Sequence, residues 1–158
     1  MSDDKQMAAA LGRVSSGLYV VTVKREQIET GMLVSWVQQC SFEPPALTVA
    51  VKRGREVLDW LIPEAVFTVN ILDRDQTDMI AHFGRAYKPG EPAFTGLAVS
   101  RPDGAPPVLD EALGYLVCRV ICRHPAGDHD LVIAEVVSGK LLGDSQPMVH
   151  VRKTGAHY

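Results

Sequence analysis

No stretch of this chain approaches the roughly 18 consecutive apolar residues of a membrane helix, so insertion into a bilayer is not expected. Cysteine is scarce as well: Cys40, Cys118 and Cys122 are an odd number with no CxxC spacing, which supports neither a disulfide framework nor a zinc knuckle. Buried apolar filler is the expected role of all three, and Cys118 and Cys122, four apart, would share one face of a strand. Positive charge has no excess, since 16 Lys and Arg against 19 Asp and Glu leave a net charge of -3, and a dominant nucleic-acid role gains no support. The opening MSDDKQMAAALGRV is acidic and lacks the layout of a secretory signal, which predicts a cytoplasmic protein. Neither HxH nor HExxH spacing occurs among the histidines, and Ser35 and Ser41 lack the His and Asp company of a hydrolase triad. Internal repeats, low-complexity tracts and linkers are absent too.

What remains is an ordinary globular composition, 46% hydrophobic and 22% charged over 158 residues, enough to bury a core without staples and read as one domain over 1–158. Residues 4–13, with the Ala8–Leu11 run, predict an opening helix. LYVVTV (18–23) reads as a strand, 24–30 as a polar turn and the start of the returning strand, and 32–37 as the remainder of that hairpin. Pro44-Pro45 marks a boundary before the strand 46–51. Helical spacing predicts helices over 55–61 and 75–83, with the strand FTVNIL (67–72) between them. Residues 85–107, rich in Gly and Pro, predict a long irregular excursion. Two long strands, 113–123 and 131–142, flank the turn HPAGDHD (124–130), and 148–151 predicts a last short strand. About seven strands with a few short helices predict a mainly β fold, a closed or partly closed antiparallel barrel.

The most informative stretch is GMLVSWVQQCSFEPPALTVAVK (31–52), because its second apolar strand runs into Lys52, Arg53 and Arg55, with Gly54 between them. Cations and a glycine at a strand end suit a phosphate, although a solvated basic loop has the same local pattern. His129, in the hairpin turn with Gly127 and Asp128, could reach a pocket at the barrel mouth; turn chemistry alone also accounts for Gly and Asp there. Trp36 suits stacking on a planar ring or a place in the core. His150, Arg152, Lys153, His157 and Tyr158 form a polar tail, either solvated or docked on a partner subunit.

Three features in order carry a resemblance: Gly31-Met32-Leu33-Val34-Ser35 with Ser41 and Pro44-Pro45, then TVAVK with its basic cluster and FTVNIL with Asn70, then Gly127-Asp128-His129 between two long strands. Together they resemble the flavin reductase-like family of FMN-binding split β-barrels. LVSWVQQCSFEPPALTVAVK, the LGYLVCRV and GDHDLVIAEV hairpin, and the closing RKTGAHY look most like the C-terminal flavin reductase domain of cyanobacterial-type flavodiiron proteins, over nearly the whole chain from about Ala9 to Tyr158.

That resemblance implies FMN as cofactor and NAD(P)H as co-substrate. Met32, Leu33, Val34 and Ser35 would line the isoalloxazine, and Lys52, Arg53 and Arg55 would hold its phosphate. His129 would act at the face shared by flavin and nicotinamide, and Lys153 and Tyr158 would help close the site. It also implies a homodimer, with flavodoxin-like and diiron domains or a ferredoxin as redox partners. Two departures stand out: Leu33 where many simple flavin reductases carry Thr, and Trp36 with Gln38-Gln39 where they carry small residues. The expected activity is an NAD(P)H:flavin oxidoreductase that passes electrons onward. The rival is an FMN-binding electron-transfer module with no nicotinamide site, fed by a protein such as ferredoxin, which crowding by Trp36 would fit.

Overall fold

In the computed structural model, which describes residues 2–158, helix α1 (Asp3–Leu11) leads into a short bridge β1 (Ser16–Gly17) and the strand β2 (Tyr19–Arg25). Strands β3 (Ile28–Val34), β4 (Val37–Phe42) and β5 (Pro45–Lys52) follow, then helix α2 (Glu56–Trp60), strand β6 (Val66–Ile71) and helix α3 (Thr77–Gly84). Bridges β7 (Val99–Ser100) and β8 (Val108–Leu109) lie in the long excursion. The chain continues through β9 (Gly114–Ala126), β10 (His129–Leu141) and the bridge β11 (Val149–His150).

Seven strands form one antiparallel sheet in the order β3-β2-β6-β9-β10-β5-β4. Its two outermost strands, β3 and β4, are consecutive in the chain and are joined by Ser35 and Trp36. The sheet therefore curls back on itself without a hydrogen-bonded ladder closing it, among the described residues. One core lies inside the curl, where Val21, Val34, Val49, Phe67, Val120 and Val132 meet the buried side of α2. A second core lies outside, where Leu18, Val20 and Leu72 pack against Met79 and Phe83 of α3 and against Ala93 and Leu109 of the excursion. With both faces of β2 buried, LYVVTV reads as a continuous apolar run rather than an alternation.

The excursion over 85–113 has little ladder of its own and is fastened through buried polar groups. The Thr22 hydroxyl donates to the Pro107 carbonyl at 2.6 Å and that of Thr68 to the Pro106 carbonyl at 3.0 Å. Asn70 is fully buried; its amide donates to the Val20 carbonyl at 3.2 Å, and its Oδ1 accepts the Leu109 N–H at 2.8 Å. Arg101 grips Glu29 with two bonds of 2.7 and 2.6 Å. Thr22, Thr68 and Asn70 thus find backbone partners for their buried polar groups, two of them on the excursion's own prolines.

Several sequence expectations are corrected here. The strand expected over 32–37 stops at Val34, and the residues expected to be loop before Pro44 form β4 instead. That edge strand is exposed on both faces and so carries no period-2 signal. Pro45 is the first residue of β5, paired with Phe42, a place where a missing N–H costs no ladder bond. The seven-residue turn shrinks to Gly127 and Asp128, with Gly127 at φ 63, so His129 opens a strand. Of the cysteines only Cys118 is buried, its thiol pushed up to about 12 by desolvation. Cys122 is half-buried and Cys40 exposed. A register shift opposite Ile133 and Ala134 leaves Ile121 as an extra residue, which breaks the shared face of Cys118 and Cys122.

Candidate functional site

Where β3 ends and β4 begins, the curled sheet leaves a cavity of about 520 Å³. One wall is the strip Met32, Leu33, Val34, Ser35 and Trp36, and the facing wall is Ala50, Val51 and Lys52 at the end of β5. Helix α3 and the turn after it add Ile80, Phe83, Gly84 and Ala86. Gly31 lets α3 come this close: a Cβ there would sit 3.1 Å from the Phe83 ring. The Ser35 hydroxyl, in the break between two strands, makes no side-chain hydrogen bond within the protein among the described residues.

The segment 151–158 crosses the mouth of the cavity and contributes Arg152, Lys153, His157 and Tyr158 to it. It is held down on the far side by α1, where the Arg152 N–H donates to the Gly12 carbonyl at 3.0 Å and the Gly155 N–H to the Ala8 carbonyl at 2.6 Å. Two glycines make the contact possible: a Cβ on Gly12 would lie 2.6 Å from the Arg152 oxygen, and one on Gly155 2.2 Å from the Leu11 Cβ. No larger residue fits either position without moving backbone.

The charges sort into two groups. Lys52, Arg55, Arg152 and Lys153 line the cavity, and none forms a salt bridge among the described residues. The Arg152 guanidinium lies 4.8 Å from the centre of the Trp36 ring and the Lys52 ammonium 5.9 Å from that of Tyr158, distances at which a cation is attracted to an aromatic face. Arg53 is different: its Nε donates to Asp130 Oδ1 at 2.8 Å, and it does not line the cavity. Arg123 donates to the other oxygen of Asp130 at 2.8 Å and to the Leu58 carbonyl at 2.8 Å. The bonds from Arg123 and then Arg53 hold the Asp130 carboxyl below its usual range.

His129 lies opposite Lys52 in the β10–β5 ladder and is buried, 7% exposed. Its Nδ1 is 2.7 Å from Asp128 Oδ1, its Nε2 is 2.5 Å from the Tyr158 hydroxyl, and its ring lies 4.8 Å from that of Trp36. A carboxylate only accepts, so Nδ1 carries the hydrogen, and in the neutral ring Nε2 is left to accept the Tyr158 O–H. Asp128 is held below its usual range chiefly by this bond, and burial pushes the Tyr158 phenol above its own. His129 does not reach the cavity; Tyr158 stands between.

Eight of the ten expected site residues thus gather at one cavity: Met32, Leu33, Val34, Ser35, Lys52, Arg55, Lys153 and Tyr158. Arg53 is turned to the hairpin and His129 is screened. Sequence reasoning missed the wall made by α3 and gave Arg152 no role. The apolar stripe of Met79, Ile80 and Phe83 was readable, but nothing local says that Ile80 faces a cavity while Met79 joins the core.

Comparison with known proteins gives one answer. Residues 11–156 match the family model described as a flavin reductase like domain. The chain is 38% identical over 158 residues, 99% of its length, to a putative diflavin flavoprotein A 3 of Synechocystis sp., of which it spans 26%. It is 40% identical over 151 residues, 94% of its length, to a putative diflavin flavoprotein A 6 of Nostoc sp., again spanning 26% of that protein. The chain therefore covers about a quarter of the length of these curated relatives. Among solved structures, the flavin reductase PheA2 superposes with a TM-score of 0.80 at 26% identity, covering 95% of this chain and 94% of that one. The NADH:FAD oxidoreductase SgcE6 of Streptomyces globisporus shares the fold, with a TM-score of 0.82 at 23% identity, 90% of this chain and 85% of that one. The chain belongs to the flavin reductase like domain family.

Proposed function

We propose that the chain is an FMN-binding flavin reductase domain that takes hydride from NAD(P)H and passes the electrons onward, toward a diiron oxygen-reducing core with a flavodoxin-like companion. The observation that carries this reading is the cavity itself, lined by apolar side chains together with cations that form no salt bridge among the described residues. Its volume falls within the roughly 300–1,000 Å³ typical of small-ligand sites. A phosphate monoester is the kind of group that Lys52 and Arg55 lack, because charge-assisted hydrogen bonds from two cations suit a dianion. Arg53, committed to Asp130, is left out of the phosphate set.

FMN, when bound, supplies a ring that accepts hydride at N5 and hands electrons on. The protein's work is to hold that ring and keep water from it. Met32, Leu33 and Phe83 provide apolar walls, and the Ser35 hydroxyl is a polar group without a protein partner at the same wall. No acid–base residue is needed for a hydride step, which agrees with the lack of any clustered catalytic set in the sequence. His129, fixed by Asp128, is the residue assigned to the donor face. A homodimer in the cytoplasm completes the reading, and Phe42 and Leu141, 88% and 69% exposed, are apolar surface that a second copy would cover.

The test is a visible spectrum of the protein after FMN addition and desalting, followed by anaerobic NADH or NADPH. Retained flavin that bleaches supports the proposal. Retained flavin that bleaches only with a reduced ferredoxin supports the rival module, which the crowding of Trp36 by Tyr158 at 5.7 Å favours. No retention of FMN or FAD overturns both.

A further inference from the structure

Resting on the reading of the cavity as an FMN and nicotinamide site, we propose that Tyr158 is a gate: its ring fills the slot beside Trp36 and His129 that the hydride donor's planar ring must enter, so donor binding requires Tyr158 to leave. Three observations converge on it. First, Trp36 and His129 pack together with ring centres 4.8 Å apart, and the Tyr158 ring, 5.7 and 5.9 Å from them, lies over both at the place a planar ring would have to take to reach them. Secondly, the occupant is itself 64% exposed while it screens His129, which is 7% exposed. A surface tyrosine that buries a histidine protects it at little cost in its own buried area, and so is readily displaced. Thirdly, the segment is fastened unevenly. Glycine contacts and two backbone hydrogen bonds fix Arg152 and Gly155 to α1. Beyond Gly155, Tyr158 ties the chain to the sheet through one side-chain hydrogen bond and ring contacts, and the other hydrogen bonds there, Ala156 to Thr154 and His157 to Tyr158, are local.

The ligand that displaces it is a planar ring carried on an anionic dinucleotide. Arg152 and Lys153 lie just before the gate and have no carboxylate partner among the described residues, so a diphosphate arriving there meets two cations next to the ring it must push aside. A closed gate also lowers apparent donor affinity by the fraction of time the slot is open, without touching FMN.

The test compares wild type, Tyr158→Phe and Tyr158→Ala as FMN-loaded proteins. The gate predicts that Tyr158→Ala raises kcat/KM for NADH or NADPH about fivefold, mostly through a lower KM, with Tyr158→Phe intermediate at about twofold. A readout independent of turnover is the His129 imidazole nitrogen signal. Adding NAD⁺ or NADP⁺ to the FMN-loaded wild type should move it toward its position in Tyr158→Phe, where the hydroxyl bond is gone. A raised KM or a loss of FMN in Tyr158→Ala overturns the gate and makes the ring part of the binding wall. Equal kinetics in all three proteins with an unmoved His129 signal overturn it too, while flavin bleaching keeps the reductase reading intact. FMN retained but bleached in no variant removes both the gate and the nicotinamide donor; failure to retain FMN in wild type counts against the reading of the cavity itself.

Discussion

Arg53 and Arg55 stand two residues apart on the same loop and have opposite fates. Arg53 shares Asp130 with Arg123, and the three brace the turn end of the long hairpin against α2 through the Leu58 carbonyl. Arg55 faces the cavity with Lys52, Arg152 and Lys153, and none of the four is held in a salt bridge among the described residues. Nearly identical local sequence yields one set of cations that is finished and another that is not. A cation paired inside the fold holds the protein together; a cation held at a cavity without a partner is reserved for something that arrives from outside.

The two sets of cations part most clearly at the cavity. Arg55→Ala should weaken FMN by about 10- to 100-fold, the worth of a charge-assisted bond, and riboflavin far less, as read by fluorescence titration. Equal losses for the two flavins would show that Arg55 does not serve the phosphate. On the hairpin side, Arg123→Ala should leave FMN affinity unchanged and lower Tm by about 2–4 °C, since it removes a half-buried ion pair and the bond to Leu58. Acid sharpens the same contrast. Because Asp130 is held below its usual range by Arg123 and then Arg53, its contribution is complete above the ordinary carboxylate range and is lost as pH falls through its depressed value. Wild type should therefore lose stability more steeply than Asp130→Asn over that acidic interval in a pH series of denaturant titrations. The smallest effect belongs to Arg53→Ala, because that side chain is 50% exposed. We expect a Tm change of about 1 °C or less and FMN affinity within about twofold of wild type.

How much of this was legible beforehand follows from how local each signal is. The strands LYVVTV, TVAVK and FTVNIL announce themselves through β-branched runs, and the mainly β class follows from them. The placement of Met32 to Ser35 at a cavity came from the resemblance and not from their spacing, because a strand's end looks the same whether it meets solvent or ligand. The division between Arg53 and Arg55 was out of reach: it depends on Asp130, which the β10–β5 ladder sets against Val51 from far along the chain. Thr22, Thr68 and Asn70 were hidden for the same reason. Polar residues inside apolar strands look like flaws until the prolines whose carbonyls they bind come into place.

The order of the strands has a consequence for synthesis. β5 carries Lys52 and one wall of the cavity, yet one neighbour in the sheet is the short edge strand β4 and the other is β10, whose residues are made only after those of α2, β6, α3 and the whole excursion. Arg152 and Gly155, which bridge the mouth, come later still and clasp Gly12 and Ala8 near the beginning. While these residues are being made, β5 therefore waits without its inner neighbour until β10 has followed. A flavin can meet the complete cavity only after nearly all of these residues have appeared, which makes its binding there a late event in the folding of this segment rather than a seed for it.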